Sequence, residues 1–175
     1  MTTARRLAHL VRRFVGSLVP AGPSARDDGW ARAHLLPGEI DLWDRMSRAD
    51  RRHAVAVARA VDRRLKADAS RPVVAAALLH DVGKVEAGLG TFGRVAATVV
   101  VAARGHRRTA AWSNRPGLAG RIGRYVLHPD LGALLLAGAG SDPLTMAWAL
   151  EHHRRPDEWT VPREIGEALK AADDD

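Results

Sequence analysis

The segment Val73-Val74-Ala75-Ala76-Ala77-Leu78-Leu79 is an unbroken apolar run, and it ends in His80-Asp81, followed by Val82-Gly83-Lys84. A histidine and a carboxylate closing such a run are poor core material, because burying them without partners costs free energy. They are good cation ligands, since imidazole nitrogen and carboxylate oxygen can face one ion or share two. His53 lies upstream, His128 and the pair His152-His153 lie downstream, and Asp173 stands near the end of the chain. Any fold of this chain has to accommodate that ordered set.

A chain of 175 residues suits one compact domain. Its apolar content of 46% supplies a core and argues against wholesale disorder. There is no cysteine, which excludes disulfides, thiolate metal sites and thiol nucleophiles. Histidine and carboxylate are then the strong ligands left, favouring iron, manganese or zinc over soft-metal chemistry. The lack of cysteine also fits a cytoplasmic location.

The periodicity predicts an all-α fold. Asp50 to Lys66 carries a buried stripe of Ala54, Val57, Ala58, Val61 and Leu65, with arginines on the other side. Pro37 to Met46, Arg71 to the residues before Gly83, Arg94 to Ala103, His128 to Leu136, Asp142 to His153 and Arg163 to Ala172 follow as helices. Gly105 to Gly123 is expected to be irregular, and no alternating strand pattern stands out. Residues 1–29 form a separate unit before a helical domain over 30–175. Leu7, Leu10, Val11, Phe14, Val15 and Leu18 make a basic amphipathic helix with Arg5, Arg6, Arg12 and Arg13, and Pro20 to Gly29 is a linker. That helix either docks on the domain or lies, through residues 3–19, on an anionic membrane surface. No segment approaches the roughly 18 apolar residues of a spanning helix.

Charge is distributed unevenly. Of 27 basic residues only three are lysines, and the formal net charge is +7. Between Glu86 and Asp130 there is no acidic residue, while Arg94, Arg104, Arg107, Arg108, Arg115, Arg121 and Arg124 all fall there. Such a stretch is either a solvated basic surface or a rim that attracts phosphate. Aromatic interleaving and a recognised nucleic-acid motif are both lacking, so nucleic acid ranks last among partners.

The candidate ligands share faces with core positions. His53 lies in register with Val57 and Val61, His80 and Asp81 with Val73 and Ala77, and His153 with Met146, Ala149 and Leu150. Singly, each has a plainer explanation: His152-His153 suits the negative end of a helix, and Asp173 opens a run of three aspartates. His9, His34 and His106 stand outside the set as surface residues. The five tryptophans are packing residues.

In order, His53, His80-Asp81 and Asp173 resemble the ligand pattern of the HD-domain metal-dependent phosphohydrolase superfamily. That pattern is an isolated His, a His-Asp pair ending a helix, and a later Asp on the last core helix. The resemblance covers about residues 48 to 174, and His-Asp-x-Gly-Lys is its most specific part. His128-Pro129-Asp130-Leu131-Gly132 and Glu151-His152-His153 resemble further segments of members with extra histidines.

The resemblance implies an HD-type helical bundle with two divalent ions, iron or manganese ahead of zinc or magnesium. One ion would take His53, His80, Asp81 and Asp173; the other would take Asp81 as a bridge with His128, His152 and His153. It implies hydrolysis of a phosphorylated small molecule, a nucleotide or related phosphomono- or phosphodiester, by metal-activated hydroxide. Asp81 and Lys84 would be catalytic, with Lys84 on a phosphate oxygen and Arg154 and Arg155 on a second phosphate or a base.

Two departures bear on the substrate. Arg154-Arg155-Pro156-Asp157-Glu158-Trp159 stands where HD-GYP phosphodiesterases have Gly-Tyr-Pro, and Ala49 stands where they have a third-metal glutamate, with Asp50 one position off. The His-Thr segment of bacterial dinucleoside-tetraphosphate hydrolases is also missing. The alternative function is a non-catalytic, metal-stabilised module held at a membrane or a partner protein.

Overall fold

A computed structural model describes residues 21–174. The amphipathic helix expected over residues 1–20 lies outside the described residues. The rest is helical, with no strand among the described residues. The helices are α1 (Ala25–Arg32), α2 (Pro37–Arg45), α3 (Arg48–Leu65), α4 (Arg71–Leu79), α5 (Thr91–Arg104), α6 (His106–Ala110), α7 (Gly117–Val126), α8 (His128–Gly138), α9 (Pro143–Glu151) and α10 (Arg163–Asp174). Short 3₁₀ turns span Lys66–Asp68, Val82–Glu86 and Pro156–Glu158.

The apolar run becomes the middle of the bundle. Val73 through Leu79 are all fully buried, which is how a helix apolar on every side has to be placed. α4 packs between α3 and α9, α10 covers α3, and α8 packs on α9 and on the Val82–Glu86 turn. On α3, Ala54, Val57, Ala58 and Val61 are buried as the stripe requires. Burial of side chains such as Leu78 and Leu79 contributes about 2–3 kcal/mol each.

Polar contacts set the register between α4 and α9. The Glu39 carboxylate is fully buried; it accepts from the Leu36 backbone N–H at 2.8 Å and from Arg71 Nη1 at 3.2 Å. Arg71, opening α4, also pairs with Asp142, the residue before α9. Thr145 Oγ1 donates to the Pro72 carbonyl at 3.1 Å. Because α4 and α9 are pinned at their starts and are the same length, nine residues each, they end side by side.

Two expectations are corrected. The segment read as a linker, Pro20 to Gly29, contains most of α1, started by Ser24, whose Oγ accepts from the Asp27 N–H at 3.1 Å. Asp28 then accepts from Trp43 Nε1 at 2.9 Å, and Arg59 lies 3.8 Å over the Trp30 ring, so α1 belongs to the domain. The second is Gly105 to Gly123, expected to be irregular, which holds α6 and the start of α7. Its glycines allow close packing: a Cβ on Gly123 would overlap the Ser113 backbone N. α5 and α7 enclose a small second core of Ala87, Leu89, Ala97 and Ile122, with Trp112 and Tyr125 packed against it.

Gly83 is where the Val82–Glu86 turn meets α8. A Cβ there would overlap the His128 carbonyl oxygen and lie 2.6 Å from the Gly132 N, both backbone atoms that cannot swing aside. Gly83→Ala is therefore expected to destabilise the fold by about 3 kcal/mol, read as a lower urea midpoint. An unchanged midpoint would mean that the approach of turn and helix is loose.

Candidate metal centre

Three helices end at one point, and each ends in the same way. His80 follows α4, His152 follows α9, and His128 lies just past α7 as the first residue of α8. Each imidazole donates its Nδ1–H to the carbonyl three residues back: His80 to Ala77 at 2.9 Å, His128 to Tyr125 at 2.8 Å and His152 to Ala149 at 2.9 Å. Carbonyls in the last turn of a helix lack an intrahelical partner, so the bond satisfies the helix end and fixes the ring together. A carbonyl can only accept; Nδ1 therefore carries a hydrogen, and Nε2 is the nitrogen turned towards the centre as a potential ligand.

All three Nε2 atoms are buried without a hydrogen bond, and all three face one carboxylate. Asp81 Oδ1 is 3.3 Å from His128 Nε2 and 3.7 Å from His152 Nε2, and Asp81 Oδ2 is 3.5 Å from His80 Nε2. Two ligands each about 2.1 Å from one ion at a tetrahedral angle are about 3.4 Å apart. The spacing fits shared coordination better than direct hydrogen bonding.

Around this centre the residues fall into two clusters that could each hold a metal ion. In one, ligand atoms of His53, His80 and Asp173 lie within 4.8 Å of one another; in the other, those of His128, His152 and His153 do. His53 Nε2 is 3.0 Å from Asp173 Oδ1, and His80 Nε2 is 3.6 Å from the same oxygen. Asp81 lies between the clusters, and the five rings form a continuous series. His53 to His80 is 5.7 Å between centroids, His80 to His152 5.4 Å, His152 to His128 5.5 Å and His128 to His153 5.2 Å.

The seven residues singled out as ligands thus meet at one place. One detail of their placement differs from the periodicity. His153 was read as the inward residue of the pair, but α9 ends at Glu151, and it is His152 that is buried while His153 stands at the exposed rim. Glu151 holds this end in place: its carboxylate accepts from the Thr160 N–H and hydroxyl at 2.7 Å each, and its carbonyl from Trp159 Nε1 at 3.2 Å.

The residues assigned to substrate are placed unequally. Lys84 is nearly buried and its ammonium pairs directly with Asp81 Oδ2. Arg154 and Arg155 are exposed, and Arg155 Nη2 bonds Asp157 at 2.9 Å. The acid-free arginines also divide. Arg94 makes a two-pronged pair with Asp50, 2.7 Å at Nη2, while Arg121 donates to the Ala87 carbonyl and Arg124 to those of Glu86 and Ser113. These three brace the backbone beside the centre rather than forming a free cationic rim. The Asp50–Arg94 pair joins residues 44 positions apart, a separation that no periodicity reveals.

The electrostatics separate the histidines. Burial works against charge on His80, but Asp81 and Asp173 outweigh it and lift its pKa from 6.5 to about 10. Burial likewise works against charge on Asp81, and Lys84 and His80 outweigh it, holding the carboxyl well below its ordinary range. Burial and the neighbouring His153 push His152 far down. His153 falls to about 4 through burial and then His128; although solvent reaches its edge, its ring backs onto His152 at 4.0 Å.

No protein-family model matches the chain, and neither does any curated protein or solved structure. The donor set itself carries the chemistry: three imidazoles, each oriented by an Nδ1–H to carbonyl bond, around a buried carboxylate.

An ion taken by His80 must displace its proton. Loading with manganese at about pH 8, above the ordinary histidine value of about 6.5 and below the His80 value of about 10, should release about one proton per chain through this residue. The release should disappear above the His80 value and in His80→Ala. Titration calorimetry in buffers of different ionisation enthalpy measures it; zero release in the parent would mean that His80 is neutral at the start.

Proposed function

We propose that this chain is a metal-dependent phosphohydrolase of the HD-domain type, cleaving a phosphoester of a nucleotide or related small molecule at two divalent cations, with iron or manganese favoured. The observation that carries the reading is the buried Asp81 carboxylate, flanked by three imidazoles whose Nε2 atoms have no hydrogen bond. Burying that many polar groups unsatisfied costs about 1–3 kcal/mol each, and cations would satisfy them together.

His53, His80, Asp81 and Asp173 would hold one ion, and Asp81, His128, His152 and His153 the other. When bound, the pair would supply Lewis acidity towards a water and towards the phosphate oxygens. The chain supplies the rest. Asp81 joins the two clusters and sets their separation. The three Nδ1–H to carbonyl bonds hold the rings with Nε2 towards the centre, so none has to turn to ligate. Lys84 puts a cation beside Asp81, where it would also meet a phosphate carried on the ions. His153, at the exposed edge, marks the side from which a substrate enters. Arg154 and Arg155 follow it directly and would contact an outer phosphate or a base.

Elemental analysis and turnover test this together. The full chain reconstituted with manganese should hold about two equivalents, falling to about one in His53→Ala and in His153→Ala. Asp81→Asn should lose most of both and lower hydrolysis of nucleotide phosphoesters by about a thousandfold or more, with its circular dichroism spectrum retained. Normal turnover in Asp81→Asn would overturn the catalytic role. A loaded parent that cleaves no phosphoester would leave a metal-stabilised binding module.

A further inference from the structure

α5 is tied to the domain along one side only. Ala97 is buried, and with Val100 it belongs to the small core that α5 shares with α7. Arg94, on the same element, is held by Asp50 of α3. The opposite face carries Phe92, Val95, Ala96, Val99, Ala102 and Ala103, all exposed. The three large residues are 76%, 42% and 63% accessible. Their spacing, i, i+3, i+4, i+7, i+10 and i+11, is that of one continuous helix face. Scattered exposed apolar side chains need no explanation, but an uncharged stripe along about three turns does.

The chain that carries and follows that face is of one sign. Arg104, Arg107 and Arg108 are exposed at its C-terminal end, and Arg115 lies exposed in the loop that follows α6. Arg104 and Arg115 stand 5.5 and 5.7 Å from the centre of the Trp112 ring. No acidic residue occurs from Ala87 to Pro129, so nothing on this stretch of chain neutralises them.

We infer that the outer face of α5, with Arg104, Arg107 and Arg108 at its end, is a docking surface for an anionic lipid membrane. Charge complementarity selects this occupant. A second copy of the chain would bring the same acid-free arginine segment against itself. The N-terminal segment offers no charge complement either, since residues 1–20 contain Arg5, Arg6, Arg12 and Arg13 and no acid. An anionic bilayer satisfies both halves of the surface. The Phe92, Val95 and Val99 side chains enter the acyl boundary while the guanidinium groups stay at the phosphates. This surface is separate from the metal centre and does not depend on the phosphohydrolase reading.

Co-sedimentation of the full chain with phosphatidylcholine vesicles, with and without phosphatidylglycerol, tests it. The expected result is binding only to the anionic vesicles, weakening steeply with salt. A double variant, Phe92→Ser with Val99→Ser, should bind at least about tenfold more weakly, and so should Arg107→Gln with Arg108→Gln. These side chains are exposed, so the circular dichroism spectrum and the metal content should stay unchanged. No binding by the parent overturns the inference. So does undiminished binding by both variants, which would assign membrane contact to residues 1–20 alone. A parent that is dimeric by light scattering, and that Val99→Ser makes monomeric, also overturns it by giving the face to a second copy.

Discussion

Everything in the bundle is organised around one buried carboxylate. Asp81 lies in the interior with His80, His128 and His152 within 3.7 Å and Lys84 paired to it. A lone ionised carboxylate could not stay there, because desolvation would raise its pKa until it took up a proton. The opposite holds: Lys84 and His80 keep it ionised. The surrounding apolar packing has to be rigid enough to hold these groups at distances they do not choose for themselves. α4, fully buried along most of its length, provides that rigidity.

Two features convert rigidity into position. The first is the equal length of α4 and α9, pinned at their starts by Arg71 and Thr145, so that His80 and His152 emerge together. The second is the crossing of Gly83 with Gly132, where each glycine lies against the other's backbone. That crossing brings the start of α8, and with it His128, to the Asp81 side chain. The negative ends of the α4, α7 and α9 dipoles also converge here, which favours positive charge at the centre; the positive end of α8 offsets one of them.

The ligand set was legible in the sequence because its members break a local pattern. His80-Asp81 ends an apolar run, and Gly83 and Gly132 sit at fixed steps after their histidines; such conflicts between residue type and surroundings survive in one dimension. What was not legible depends on tertiary partners. α1 looked like a linker because Gly29 and the paired Asp27 and Asp28 weaken its helical signal; contacts of Asp28 with Trp43 and Trp30 with Arg59 hold it. The glycines of Gly105 to Gly123 looked like breakers, whereas Gly123 is there to let two backbones touch. Burial of His152 rather than His153 follows from where α9 stops, and helix ends are set within a residue or two by capping contacts that periodicity does not resolve.

The arginine stretch shows why charge counts alone mislead. Seven guanidinium groups without a nearby acid in sequence suggest one positive surface, yet Arg94, Arg121 and Arg124 turn inward to Asp50 and to backbone carbonyls. The centre itself stays close to balanced: two carboxylates, Asp81 and Asp173, face the His80 imidazolium and the Lys84 ammonium. The proton on His80 sits on a candidate ligand nitrogen, so a divalent ion at Nε2 can replace it while adding charge of its own. The second cluster holds no such proton on His152 or His153: burial drives both neutral, aided at His152 by His153 and at His153 by His128. The two halves therefore meet a cation on different terms, one by exchanging a proton and the other through lone pairs already free.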